Sequence, residues 1–322
     1  MKKSIIALAV AGAMTVPAIA SADATLYGHI MMGVDKEKGE KLHIGSSANS
    51  ESRIGLRGTA DTGVDGLTAL YHYEFGVRTN QTGYGAGAEN ALRTRLANVG
   101  LTGDWGTAVL GTQWAPHYSW VTSTTDVMLS SVVNPTHSTD TVYRVNNTAA
   151  YVSPNLNGLQ LAAAVSASSA NDDTTGDFYH VAAKYSIGDF YVAASHIDFK
   201  ADAFEAAIGD KVTAVAASYS FGPLTVAGVY SYLKLDGEDN YKPWDLAATY
   251  AVTDATTLKV AYADFKNSQK GYGFEVQHDL SNMVNTFVGY GRANSNLRDT
   301  YAATDGDEGA NSVFSTGIRV RF

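Results

Sequence analysis

The sequence predicts an all-β fold: a sixteen-stranded antiparallel transmembrane β-barrel with one long connection, residues 114–143, folded inward. Three observations predict it. Apolar and polar residues alternate with a period of two through run after run. Tight turns rich in Gly, Pro, Asn and Asp alternate with longer acidic connections. A tyrosine recurs near the turn end of successive strand pairs, at Tyr151, Tyr185, Tyr219 and Tyr250, where an apolar ring with a polar tip suits a membrane interface. The composition agrees, since 19 Tyr and 31 Gly with 6 Pro favour strands and turns over helices.

In chain order, Lys2 and Lys3 precede an apolar run, Ile5–Ala13, and the small-residue end Ala20-Ser21-Ala22. This reads as a secretory signal peptide over 1–22, with a cut after Ala20 as the alternative. The run is too short to span a membrane as a helix. The barrel is expected over 23–322. There is no cysteine, so a disulfide framework is excluded despite export. The formal charge of −9 becomes −11 without Lys2 and Lys3, which argues against nucleic acid as a partner. A mean hydropathy close to zero fits a barrel whose residues alternate between lipid and water.

The first strand run is Thr25–Asp35. In Leu67–Arg78, Leu67, Ala69, Tyr71, Tyr73, Phe75 and Val77 share one face, and His72, Glu74 and Arg78 take the other. Tight turns are expected at Asp61–Gly66, Gly103–Gly106, Ser153–Gly158, Ile187–Asp189, Phe221–Pro223, Val252–Thr256 and Leu280–Val284. Those hairpins, with the first run and the last, Val313–Phe322, bring the strand number to sixteen. In the last run Phe314, Ile318, Val320 and Phe322 share a face opposite Ser315, Arg319 and Arg321. The longer connections carry Asp172 and Asp173, Asp202 and Glu205, Asp236, Glu238 and Asp239, and Asp305, Asp307 and Glu308. Turns therefore gather at one end of the sheet and acidic loops at the other.

An even-numbered antiparallel sheet can close, and only an edge-free sheet satisfies its backbone in lipid. Sixteen strands leave an interior too wide for side chains to fill, so the polar face lines water. The 114–143 stretch lies between the fifth and sixth strands. It is long for a structureless loop and too rich in aromatic and aliphatic residues for disorder. It is expected to pack inside, held by Trp114, Val121, Met128, Leu129, Val132 and Val133.

Ser52–Gly58 (SRIGLRG), Thr94–Leu101 (TRLANVGL), Asn146–Pro154 (NNTAAYVSP), Ala24–Gly28 (ATLYG) and the terminal Phe322 resemble, in that order along the chain, the general trimeric porins of the Gram-negative outer membrane. The resemblance implies a passive water-filled channel for ions and small hydrophilic solutes, narrowed by the inward third loop, whose acids face a basic wall. It also implies a homotrimer set in outer-membrane lipid and lipopolysaccharide, with Phe322 as the signal read by the outer-membrane assembly machinery. No catalysis and no cofactor or metal is implied.

On the loop, Thr125–Leu129 resembles the segment bearing the family's constriction acid, which points to Asp126, with Asp140 second. On the wall, Ile54 and Leu56 take the lipid face, so Arg53 and Arg57 point inward. Arg95 shares a face with Arg93, opposite Leu96. These match the family's basic positions, as does Arg144, while Arg319 and Arg321 are lumenal by parity alone. Glu74 resembles a family acid. Opposed charges across a narrow gap set a transverse field that orients water and biases ion entry. After Leu129 the family's Pro-Glu-Phe-Gly-Gly tip is replaced by Ser-Ser-Val-Val-Asn-Pro135, and Thr112 stands where relatives often carry a base. Pore size and ion preference therefore do not follow from the resemblance.

Three rival readings are a substrate-specific channel, a barrel hydrolase, and an anchoring barrel with a blocked lumen, for which the expected plug domain or long helical insert is not seen in the sequence. A substrate-specific channel would use aromatics such as Trp114, Tyr118 and Trp120. A barrel hydrolase would need converging His and Asp or Ser groups; the pairs His196/Asp198 and His72/Glu74 are instead expected as neighbours on a polar lumen wall. The Asp305–Glu308 run lacks the spacing of a calcium loop.

Overall fold

The computed structural model describes residues 23–45, 51–77, 79, 92–130, 142–166, 178–199, 211–234, 240–264, 270–294 and 312–322. Its strands are β1 (Asp23–Glu37), β2 (Leu42–Gly45), β3 (Arg53–Asp61), β4 (Leu67–Val77), β5 (Leu92–Gly103), β6 (Gly106–Trp114), β7 (Arg144–Val152), β8 (Leu159–Ser166) and β9 (Phe178–Ile187). They continue with β10 (Phe190–Phe199), β11 (Lys211–Phe221), β12 (Leu224–Lys234), β13 (Trp244–Thr253), β14 (Thr256–Asp264), β15 (Lys270–Asp279), β16 (Val284–Ala293) and β17 (Ser312–Arg321).

Neighbours in sequence pair antiparallel around one sheet, and β17 returns to pair with β1 from His29↔Arg321 to Glu37↔Val313, so the sheet is closed. The seventeen segments fill sixteen strand positions, because β2 pairs with Gly33–Lys36 of β1 and β3 with Asp23–His29 of the same strand. One strand position is thus interrupted. At the break, Ser52 is fully buried and its hydroxyl is 2.9 Å from the Met31 amide and 3.2 Å from the Met31 carbonyl. All seven expected tight turns separate consecutive strands. In the first, the Asp61 carboxylate accepts the Gly63 amide at 2.8 Å, and Gly63 and Gly66 take the left-handed backbone that favours glycine.

Period-two alternation sorts the side chains. Leu26, Ile30, Ile54, Leu56, Val99, Leu246 and Phe274 are exposed on the outer face. An apolar face left in water would forfeit about 25 cal/mol per Å², whereas hydrocarbon matches it. Tyr151, Tyr219 and Tyr250 are exposed on this face near the turns, and Tyr185 lies half-exposed on it. Tyr151 stacks on Trp105 at 6.1 Å and donates its hydroxyl to the Trp105 carbonyl at 2.6 Å.

Two parity expectations fail. The β4–β5 register shifts so that Phe75 faces Thr94 and Glu74 faces Leu96, leaving Arg95 as the extra residue of a bulge. Leu96 is therefore fully buried opposite an inward carboxylate instead of meeting lipid. His196 and Asp198 are not lumenal either. They pair with Val181 and Tyr179, which are exposed on the outer face, while Ser195 and Ile197 take the buried inner side.

The inner face of β8–β16 is lined largely with small residues, and residues 115–130 lie against it. Trp120 and Val121 pack on Ala162, Ala182, Ala193, Ala214 and Ala216. Met128 packs on Ala247, Ala261, Ala263 and Ala293, and Leu129 on Met31 and Phe287. These alanines are buried although they face inward, because the segment covers them. A π-helical turn, His117–Val121, and a 3₁₀ turn, Thr122–Thr124, carry the start of its course.

Candidate functional site

The inward face of β1, β3, β4, β5 and β7 holds a charged network. Arg53 and Arg57 point inward because Ile54 and Leu56 occupy the outer face. Arg93 forks onto Glu51, with Nε 2.7 Å from Oε1 and Nη2 2.9 Å from Oε2. The bulge brings Arg95 between two carboxylates, 2.8 Å from Glu51 Oε2 and 2.6 Å from Glu74 Oε1. Arg53 approaches the same Glu74 oxygen at 3.8 Å. Charge-assisted, forked bonds of this kind are strong and directional. Burial works to raise the Glu51 carboxyl, but the hydrogen-bonded guanidinium groups of Arg93 and Arg95 overcome it and hold the carboxyl below the usual range. The carboxylate has room because Gly76 lies beneath it, where any Cβ would collide with it.

The network continues into neutral groups. The Tyr27 hydroxyl donates to Glu74 Oε2 at 2.8 Å and lies 2.6 Å from His72 Nε2. With its one proton given to Glu74, the phenol accepts from His72, which assigns the proton to Nε2. Arg57 lies over the Tyr27 ring at 5.0 Å. Arg144 and Arg95 lie over Trp114 at 4.9 and 5.7 Å, cation–π contacts that hold guanidinium groups without neutralising them. Arg319 donates to Asn285 Oδ1 at 2.8 Å, and Arg321 to the Asn282 carbonyl at 3.5 Å. Phe322 exchanges backbone hydrogen bonds with Gly28 at 3.0 and 3.1 Å, and its ring covers that glycine at the barrel seam.

The inward segment meets this wall through aromatics. Trp114 stacks on Tyr118 at 4.9 Å, and Tyr118 meets Tyr143 at 4.8 Å with the rings tilted by 47°. Tyr118 donates to Asp126 Oδ2 at 2.6 Å. Burial, then the Asp126 charge, raises its hydroxyl, against the opposing fields of Arg53 and Arg144. Tyr118 therefore stands within electrostatic reach of both the loop acid and the wall cations.

Elsewhere the segment is bonded to the wall. His117 Nδ1 lies 2.7 Å from Ser195 Oγ, and the Tyr191 hydroxyl donates to the Trp120 carbonyl at 2.6 Å. Thr125 donates to Asp245 Oδ2 at 2.7 Å. The fully buried Glu275 accepts from the amides of Leu129 and Ser130 at 2.8 and 2.7 Å and from the Ser130 hydroxyl at 2.6 Å. Its other oxygen accepts from Lys259 at 2.8 Å.

Of the residues expected from the sequence, Arg53, Glu74, Arg93 and Arg95 meet in one ion-pair network, with Arg57 and Arg144 at its margins. Arg319 and Arg321 are inward on β17, and Trp114, Val121, Met128 and Leu129 hold the segment as expected. Asp140, Val132 and Val133 lie outside the described residues. Sequence reasoning missed Glu51, which sits in the non-periodic break before β3, and Tyr27. It also missed the wall anchors Asp245, Lys259 and Glu275. Those three were accessible, since each interrupts an apolar alternation with a charge on the inward register.

A closed antiparallel barrel, apolar outside and charged within, defines a membrane channel. The family model of the Gram-negative porins matches residues 7–298. The chain belongs to that family and is an outer-membrane porin, a passive diffusion channel in the outer membrane of a Gram-negative bacterium. Outer membrane porin protein 32 of Delftia acidovorans is 28% identical over 298 residues, covering 82% of this chain and 80% of the relative. The solved anion-selective porin from Comamonas acidovorans superposes with a TM-score of 0.74 at 21% identity, covering 94% of this chain and all of that one. A trimer form of OmpT from Vibrio cholerae does so with a TM-score of 0.67 at 15% identity, covering 94% and 99%.

Proposed function

We propose that the 114–143 segment and the arginine wall form the constriction of this channel, and that the constriction prefers small anions. The observation that carries the reading is the charge balance of the wall around β3, β4, β5 and β7 among the described residues. Arg53, Arg57, Arg93, Arg95 and Arg144 share two wall carboxylates, Glu51 and Glu74, while the anchors Asp245 and Glu275 are spent on bonds to the loop. Asp126, with Asp140, supplies the loop-side negative charge, and Arg319 and Arg321 extend the positive stripe along β17. The acidic outer loops count for little at this depth, because salt screens them beyond about 8–10 Å. The anion selectivity of the Comamonas relative agrees in direction. The reversal potential of the reconstituted protein in a salt gradient tests the reading, and a cation-selective sign would overturn it.

The assembly is read as a homotrimer. The turn-side tyrosines stand on β7, β9, β11 and β13, whereas the outer face of β1 and β3 presents Leu26, Ile30, Ile54 and Leu56 with no aromatic ring, as befits a face covered by protein. The trimer form of the Vibrio relative supports this state. Phe322 at the seam is assigned to recognition by the outer-membrane assembly machinery. The barrel is read as non-catalytic, because His72 and Glu74 are tied up through Tyr27 and His196 and Asp198 face outward. Turnover in a hydrolysis assay would contradict this.

A further inference from the structure

Beneath the start of the inward segment, two buried histidines meet across the seam between segment and wall. His180 stands on the inner face of β9, opposite Ala164 and Ile197, which belong to a buried apolar cluster. It is fully buried, and neither of its ring nitrogens has a hydrogen bond. Among the described residues, the Thr122 hydroxyl is the one other buried side-chain group in that condition. Buried polar atoms are almost always paired, so an imidazole with two unbonded nitrogens points to a ligand.

His117, on the π-helical turn, is its neighbour. It too is fully buried, and the ring centres are 6.5 Å apart with the planes at 65°. A direct N–H···N bond of about 3 Å would bring the centres to roughly 5.3 Å, so the rings are too far apart to bond each other. A metal about 2.0–2.1 Å from one nitrogen of each ring, in line between them, sets the centres about 6.4 Å apart. Ser195 supplies the outer support, with its Oγ 2.7 Å from His117 Nδ1. When Nδ1 donates to that hydroxyl, Nε2 carries the lone pair, which is how an outer partner orients a metal-binding imidazole. The donor set then selects the ion. The chain has no thiolate to offer, and among the described residues no third His, Asp or Glu joins the pair. Nothing balances a dication in this pocket, where uncompensated charge is costly. Imidazole suits copper, and a monovalent d10 ion accepts two ligands in line.

We propose that His117 and His180 form a two-coordinate site for a soft monovalent cation, copper(I) or its analogue silver(I), which staples the inward segment to β9. The test uses the untagged full protein, with copper(I) supplied as its acetonitrile complex, without oxygen, against a competing chelator. Bound metal is counted by mass spectrometry, and X-ray absorption reports its neighbours. The expected result is one copper(I) per chain with two nitrogen neighbours. His180→Phe and His117→Phe should each abolish retention, and Ser195→Ala should weaken it by roughly tenfold. No copper in the wild type, undiminished copper in His180→Phe, or zinc(II) held as tightly as copper(I) would overturn the site, and a bridging water would then account for the gap. If the variants fail to fold, the wild-type stoichiometry and neighbours decide: three or more neighbours, or none from nitrogen, would overturn it equally.

Discussion

Arg95 touches both wall carboxylates, so its removal leaves Glu51 and Glu74 with one fewer cation between them. A unit charge at about 4 Å in water is worth about 1 kcal/mol, and Arg95→Ala should lower the anion-to-cation permeability ratio roughly fivefold. Reversal potentials in a salt gradient would register it. Asp126 contributes in the opposite sense: Asp126→Asn should lower cation preference while sparing the Tyr118 contact, because the amide oxygen still accepts from the phenol. An unchanged reversal potential would remove Asp126 from the constriction. Arg53 and Arg57 were legible by parity, since a two-residue period dictates faces once the apolar face is known. The same rule misplaced Leu96, because parity cannot see a bulge. Glu51 was invisible for a related reason, as it lies where the strand breaks and no period applies.

At the scale of an element, the inward segment depends on Glu275. Glu275→Ala would remove the acceptor for three loop donors and leave Lys259 buried without its counter-ion. Breaking one side of a buried pair costs about 3–5 kcal/mol. The expected outcome is a lower thermal midpoint and a noisier open channel. The double change Glu275→Leu, Lys259→Met should recover the midpoint while the noise remains, since the loop bonds stay lost. The strands themselves were legible because turn chemistry and alternation are local properties. The course of 115–130 was only partly legible. Its apolar content said that it packs, but the partners are alanines spread over seven strands, and no local pattern marks which of them will be covered.

For the whole molecule, acid should retune the channel before it unfolds it. The Glu51 carboxyl is held below its ordinary value of about 4.3. Its ion pairs are therefore fully present above that value and are lost as pH falls through the depressed one. As the carboxylate is neutralised, Arg93 and Arg95 lose a counter-charge while the barrel stays closed by backbone bonds that do not titrate. Anion preference should then rise as pH falls through that depressed value, and Glu51→Gln should show the raised preference already at neutral pH. A fall in anion preference on acidification would contradict this. Strand number, turns and closure followed from periodicity, whereas the outward placement of His196 and Asp198 did not, because polar residues near a rim look lumenal until the register is known.

The alanine-lined arc behind the inward segment separates two tasks within one chain. The ring of strands must insert and close in a membrane, and its circumference is set by strand number. On the proposed reading, the width open to a solute is set by a single peptide, whose described part rests on a smooth, shallow bed and is fastened at a few polar points such as Asp245 and Glu275. Lengthening, shortening or recharging that peptide would change what passes without disturbing the scaffold, so one barrel can be adapted to different diets by editing about one-tenth of its length.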